Sequence, residues 1–385
     1  MKTFNRIGTL LMTAFAVLAP FATPGAAQGD WTVYAGTYTR GPSKGIYSYK
    51  FQDSTGKLTP IGLAVQTSNP SFLAVDPSQR FLYAVNENNA GMVSAFAIDP
   101  ATSDLKLLNQ VSSKGSGPCH LSVDKTGKWL FVANYNNGSV AAYRINADGS
   151  LSEATATFQH AGKSVNPQRQ SGPHAHVTAI SPDNRFVLVC DLGLDEVLSY
   201  RIDPDKGGMI PNDPPFVKVD AGFGPRHLVF RPDGKFAYVI GEMGGAVTVL
   251  SYDAAKGTLH QVQVISTLPP DYTGMKSGAE IAILPNSKFL YASNRVHNSI
   301  TTFKIDAAKG TLTAAGNVPS GGKTPRGFVI DPTGHFLLAA NQDSNNIVVF
   351  KIDQQTGGLT PTGDTIDIGS PVSLVFLSTA RAAAR

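Results

Sequence analysis

Short apolar runs and turn residues alternate along nearly the whole chain, and the alternation repeats. AVDPSQRFLYAVN, SVDKTGKWLFVAN, AISPDNRFVLVCD, VFRPDGKFAYVIG, AILPNSKFLYASN and VIDPTGHFLLAAN each place two apolar runs around a four-residue turn. In the fourth, Leu228 to Phe230 and Phe236 to Ile240 flank Pro232-Asp233-Gly234-Lys235, where Pro presets φ and Gly accepts φ > 0. Each copy predicts a β-hairpin. Taking Val75, Val123, Ile180, Phe230, Ile283 and Ile330 as equivalent, the spacings are 48, 57, 50, 53 and 47 residues. A third strand with alternating side chains follows each hairpin (MVSAFAI, SVAAYRI, EVLSYRI, AVTVLSY, SITTFKI, NIVVFKI), and a weaker fourth begins near Leu105, Leu151, Ile210, Leu259, Leu312 and Leu359. Four antiparallel strands per repeat are the signature of a β-propeller blade.

Six blades are complete, and the two ends of the chain supply a seventh. Trp31 to Tyr38 matches a second strand, Ile46 to Phe51 a third and Leu58 onward a fourth, with no first strand before them. Pro371 to Leu377 has the first-strand pattern. The predicted fold is therefore all-β: a seven-bladed β-propeller, four antiparallel strands per blade, its ring closed by the C-terminal strand pairing with the N-terminal strands. Closure removes two sheet edges. One domain spans 28–378, and 379–385 form a disordered tail.

A ring gives position a meaning, because the first strand of every blade lines the central channel and starts beside the end of the second. The strand-start positions are Ser71, Cys119, His176, Arg226, Ala279 and Arg326, followed by Phe72, His120, Val177, His227, Glu280 and Gly327. The second strands end at Tyr38, Glu87, Tyr135, Asp191 or Leu192, Glu242, Arg295 and Gln342. One axial mouth thus collects His120, His174, His176 and His227 with Arg226, Arg295 and Arg326, a composition suited to an anionic or carbonyl-bearing small molecule. Arg226 and Glu242 face each other across one hairpin end, as a functional pair or a structural ion pair. His227 sits one position off the alignment and is expected to face the neighbouring strand. His174 and His176 alternate and should point to the same side. The recurring Asn86, Asn134, Asn294 and Asn341 are read as ties for strand ends. Cys119 and Cys190 fall at hairpin ends of neighbouring blades, and nothing in the sequence brings them within the roughly 7 Å a disulfide allows.

Composition adds boundaries. The 385 residues are 42% hydrophobic and 16% charged, enough for a large core. Lys2 and Arg6 precede an apolar run from Ile7 to Leu18, and Gly25-Ala26-Ala27 closes the segment, which predicts a secretory signal peptide over 1–27. The run is shorter than the roughly 20 residues of a membrane span. Cleavage leaves 30 Lys and Arg against 28 Asp and Glu, a net charge of +2 that offers no footprint for nucleic acid. The expected product is a periplasmic or secreted monomer without membrane attachment. No HExxH, EF-hand, zinc-type Cys/His spacing or G-x-G-x-x-G occurs, so neither metal nor other cofactor is expected.

YAGTYT from Tyr34, GPCH, SGPHAH, GPRHLVFRPDGKFAYVIGE, GAEI and ASNR span the mature chain. Together they resemble the lactonase family of seven-bladed propellers, which includes bacterial 6-phosphogluconolactonase and fungal carboxy-muconate lactonizing enzyme. The most specific part is GPRH with a glutamate sixteen residues beyond its arginine, then ASNR. The resemblance implies a metal-independent site of His176 (or His174), Arg226, Glu242 and Arg295 acting on a lactone. Glu242 is the expected base for water, with His176 the alternative, and Arg226 and Arg295 would hold the oxyanion. His120, His174, His227, Glu280, Arg326 and Asn294 complete the expected substrate contacts. A lactone-forming cycloisomerase or a non-catalytic binding propeller would use the same mouth. The export signal favours an unphosphorylated aldonolactone over a 6-phosphorylated one.

Overall fold

The hairpin turns form because each carries its own hydrogen-bond acceptor. In the computed structural model, which describes residue 1 and residues 30–378, the Asp76 carboxylate accepts from the backbone N–H of Arg80 and Phe81. Asp124 does the same for Lys128 and Trp129, and the Ser181 hydroxyl for Phe186. Gln79, Gly127, Asn184, Gly234, Ser287 and Gly334 hold the same position in six turns, and all six have positive φ, between 58° and 77°. The turn grammar in the sequence is thus a backbone requirement. The expected signal peptide and the tail 379–385 fall outside the described stretch 30–378.

Among the described residues, 28 strands, numbered β1 to β28 in chain order, form seven four-stranded antiparallel sheets. The closing sheet has the order β28 (Pro371–Ser378), β1 (Asp30–Thr37), β2 (Gly45–Gln52), β3 (Lys57–Gln66). Its register runs from Trp31 opposite Ser378 to Thr37 opposite Pro371. The inner strands are β4 (Leu73–Val75), β8 (Pro118–Val123), β12 (Ala175–Ile180), β16 (Pro225–Phe230), β20 (Gly278–Ile283), β24 (Pro325–Ile330) and β28, and each touches the next around a closed ring. No helix of the described residues is long and apolar enough to cross a membrane.

Burial explains why the strands differ in legibility. Second strands such as β9 (Trp129–Asn134) and β21 (Phe289–Asn294) are buried at every residue, whereas the outer β11 (Leu151–Gln159) buries Leu151 and only half-buries alternate residues beyond it. The core lies between blades: Phe186, Leu188 and Cys190 of one blade pack against Leu228, Ala237 and Val239 of the next. Tyrosines on second strands reach across these seams, with Tyr83, Tyr238 and Tyr291 each donating its hydroxyl at 2.9 Å to the carbonyl of Gly149, Gly310 and Gly357.

The inner strands depart from simple antiparallel register where they begin. Pairing skips a residue between Pro118 and His120, Ala175 and Val177, Pro225 and His227, and Pro325 and Gly327, and skips two between Gly278 and Ile281. The residues left out of the ladder are Cys119, His176, Arg226, Arg326, and Ala279 with Glu280. A β-bulge bends the strand and re-aims the unpaired side chain. Five bulges therefore deliver these positions to one end of the channel.

Candidate active site

Tyr38, Glu87, Cys119, Tyr135, Asn136, Arg169, His176, Glu242, Arg295 and Arg326 line a cavity of about 270 Å³ at this mouth. Glu242 is its electrostatic centre. Arg295 Nη2 lies 2.8 Å from Glu242 Oε2, and Arg169 Nη2 lies 2.6 Å from Oε1. Arg226 Nε approaches Oε2 at 3.3 Å without hydrogen-bond alignment, so its N–H is left without an acceptor. Arg226 Nη1 donates to the Ala279 carbonyl at 2.5 Å, which pins the guanidinium behind the carboxylate.

Burial would raise the Glu242 carboxyl, but Arg295, Arg226 and Arg169 together overcome it and hold the group at about 2. Burial, aided by the charges of Arg326 and Arg295, lowers Arg226 to about 10, which leaves it cationic at neutral pH. His176 is held well below its ordinary value, first by burial and then by Arg226, so it stands as neutral imidazole with its buried Nδ1 unpartnered. Across the cavity, Tyr38 donates to Glu87 Oε2 at 2.8 Å, and the Arg326 guanidinium lies 5.3 Å from the Tyr38 ring centre.

Four of the ten residues singled out in the sequence, Glu242, His176, Arg295 and Arg326, line this cavity, with Arg226 directly behind Glu242. Three others form a separate layer and are not part of the lining. His227 Nδ1 pairs with Glu280 Oε1 at 2.9 Å in the next blade, which is the neighbouring-strand contact expected for His227. The His120 ring packs on Phe72 at 3.9 Å, 5.4 Å from the His227 ring. Burial pushes Glu280 up to about 7 despite nearby Arg226. His174 and His176 both meet Tyr135: His174 stacks on its ring at 4.6 Å and donates from Nδ1 to its carbonyl, while His176 meets the ring edge-on at 5.6 Å.

Asn294 requires correction as a substrate contact. It is fully buried, its Nδ2 donates to the Thr267 carbonyl at 2.9 Å and its Oδ1 accepts from Thr267 Oγ1 at 2.6 Å. These ties hold the strand end, the role read for the recurring asparagines, and leave nothing for a ligand. Cys119 and Cys190 are both free and buried, and burial raises both thiols well above the ordinary range, so neither is a ready nucleophile.

Of the two lining residues the sequence did not reveal, Asn136 and Arg169, the charged one is Arg169. It lies in the connection between β11 and β12, outside every repeated position, and no spacing rule marks it. His160 offers a contrast. Its Nδ1 meets Asp191 Oδ2 at 2.7 Å and its Nε2 meets the Tyr200 hydroxyl at 2.9 Å, a catalytic-looking pair that is sealed in the blade and anchors the same connection.

The family described as lactonase, 7-bladed beta-propeller, matches residues 32–376. A 6-phosphogluconolactonase of Bacillus subtilis is 35% identical over 299 residues, covering 77% of this chain and 84% of that protein. Another, from Formosa agariphila, is 34% identical over 306 residues, covering 78% and 86%. The solved structure of a periplasmic gluconolactonase from Pseudomonas aeruginosa superposes with a TM-score of 0.87 at 35% identity, covering 91% of this chain and all of that one.

Proposed function

Because the chain belongs to the seven-bladed β-propeller lactonase family, we propose that its axial mouth opens a sugar-type lactone by adding water to the ring ester, with Glu242 as base. The chain is a carboxylic ester hydrolase of the lactonase type. The observation that carries the assignment of roles is the convergence of Arg169, Arg226 and Arg295 on one buried carboxylate at the cavity wall.

A carboxylate held near 2 looks too weak to take a proton from water. The arginines that weaken it resolve the difficulty. When water attacks the carbonyl carbon, its proton passes to Glu242 and negative charge appears on the carbonyl oxygen. The charge leaves one oxygen facing the guanidinium groups and arrives on another, so Arg226 and Arg295 keep a counter-ion throughout. The field that stabilises ionised Glu242 stabilises the oxyanion as well. Collapse of the tetrahedral species breaks the bond to the ring oxygen, which leaves as a hydroxyl with the proton returned from Glu242, and the acid product then releases a proton to solvent. Protonating His176 instead would set another positive charge among Arg226, Arg295 and Arg326, the groups that already hold it neutral. Its place in the cavity suits it to orient water or substrate.

The substrate we favour is a sugar-type lactone without a phosphate ester. The signal-like N-terminus supports action outside the cytoplasm, where sugar phosphates are scarce, and the Pseudomonas aeruginosa relative is named a periplasmic gluconolactonase. Acid release from a panel of phosphorylated and unphosphorylated lactones tests this, with wild type, Glu242→Gln and His176→Asn side by side. Glu242→Gln should lose about two to four decades of rate. Near-full activity in that variant, with the loss falling on His176→Asn, would transfer the role of base to His176.

A further inference from the structure

The mouth carries more positive charge than its own carboxylates balance. Arg169, Arg295 and Arg326 line the cavity and Arg226 backs it, against Glu87 and Glu242. His176, held neutral, adds no charge to either side. A neutral lactone would leave this excess uncompensated.

Of the three guanidinium groups that hold Glu242, Arg169 is the one free to respond. The Arg226 side chain is 2% exposed and that of Arg295 15%, whereas Arg169 is 43% exposed. Arg169 commits one nitrogen: Nη2 makes both of its contacts, to Glu242 Oε1 at 2.6 Å and the Tyr135 hydroxyl at 3.1 Å. Nε and Nη1 make no hydrogen bond within the described residues, which leaves an edge of the planar fork available for two anionic oxygens. The backbone that carries it is fixed. Asn166 Oδ1 accepts from the N–H of Gln168 and of Arg169, and fully buried Gln170 donates from Nε2 to the Leu192 carbonyl at 2.9 Å. Ser164 ties the start of the turn to Asp195 at 2.6 Å. A half-exposed side chain thus stands on an anchored turn, holding the carboxylate oxygen that the incoming water needs.

We propose that Arg169 is the specificity-determining residue of the site: it takes an anionic substituent of the lactone, and in doing so leaves Glu242 Oε1 open to the attacking water. The proposal rests on the lactonase reading and on Glu242 as base. The substituent that accords with the unphosphorylated substrate favoured above is a second carboxylate; a phosphate ester presents the same paired anionic oxygens to the fork, and experiment distinguishes the two. An unsubstituted lactone cannot draw Arg169 away and meets a Glu242 with both oxygens occupied.

The test measures kcat and KM of wild type, Arg169→Ala and Arg169→Lys, as full-length protein, on three aldonolactones: phosphorylated, carboxylate-bearing and unsubstituted. Arg169→Ala should raise KM for the anionic substrate by about ten- to a hundredfold, with Lys restoring part of it, while kcat/KM for the unsubstituted lactone rises several-fold. The opposite signs are what a merely structural role would not produce. An effect confined to the phosphorylated or to the carboxylate lactone identifies the source of the anion. Equal losses on all three, or no change on any, overturn the proposal. Inorganic phosphate supplies a readout independent of turnover: it should raise the Tm of wild type and not of Arg169→Ala. Wild type that releases acid from none of the lactones, yet shows this phosphate shift, would refute the lactonase reading while leaving Arg169 as an anion receptor. The absence of both would remove both.

Discussion

Glu242 and Glu280 share Arg226 as a charged neighbour and are pushed in opposite directions, so they shape stability at opposite ends of the pH scale. Glu242, held at about 2, contributes stability that is fully present above the ordinary carboxylate range and is lost as pH falls toward 2. Glu280 is largely buried against His227, with Arg226, His120 and Arg326 nearby, and burial pushes it up to about 7. The folded state therefore binds a proton that the unfolded chain releases at lower pH, and stability declines as pH rises from about 4.5 to 7. At its upper limit this cost is roughly 3 kcal/mol. Glu280→Gln removes the ionisation and keeps an acceptor for the His227 Nδ1–H and the Ile281 N–H, which now share Oε1. Its Tm should exceed that of wild type by a few degrees at pH 8 and converge with it near pH 5. A variant less stable than wild type at pH 8 would mean that the Glu280 charge supports the fold.

At the scale of elements, the turns and the bulges carry different information in the sequence. The turns were legible because their chemistry is local: a positive-φ residue stands at the fourth position of all six, and a carboxylate or hydroxyl at the first position of four of them. Glycine at the outer turns has a second reason, which lies in another blade. Gly310 has φ +67°, and a Cβ there would overlap the Phe236 ring of the preceding blade, while its carbonyl accepts from Tyr238. Gly310→Ala should lower stability by about 1–3 kcal/mol through left-handed strain and overpacking. Thermal melts of Gly310→Ala and of Gly310→Ala with Phe236→Leu check the account, since the smaller side chain should recover part of the loss. The bulges were not legible, because they answer to the crowding of seven strand ends around an axis. Strand alternation alone placed Arg226 near Glu242 but gave no reason for Cys119, His176 and Arg326 to leave their ladders together. Arg169 was hidden for a related reason: its position depends on Gln170 and Asn166 folding a non-repeated connection back over the mouth.

For the whole molecule, the repeat made the ring readable, since an incomplete blade at each end of the chain can only be completed by the other. The closing strand β28 buries Val372, Leu374 and Leu377, pairs with β1 along its length and touches both inner neighbours, β24 and β4. Two cross-links outside its own sheet depend on it: the Ser373 hydroxyl accepts from the Leu73 N–H at 3.1 Å, and the Ser378 N–H donates to Gln79 Oε1 at 3.0 Å. Removing it would expose the edge of β1 and one face of two blades. Three buried aliphatic side chains at about 1.5–3 kcal/mol each amount to much of the 5–15 kcal/mol by which a typical domain is stable. Chains ending at Ile368 should therefore fail to fold or melt far below the full-length protein. Leu374→Ala, which leaves the strand in place, should cost about 2–5 kcal/mol. The two variants separate loss of a side chain from loss of closure. A truncated chain that melts no lower than Leu374→Ala would show that the ring holds without its C-terminal strand. If closure matters as the packing indicates, truncation should also abolish lactone hydrolysis, because Arg326 and Tyr38, which lie against each other in the cavity wall, stand on β24 and just past the end of β1, the strands that β28 joins.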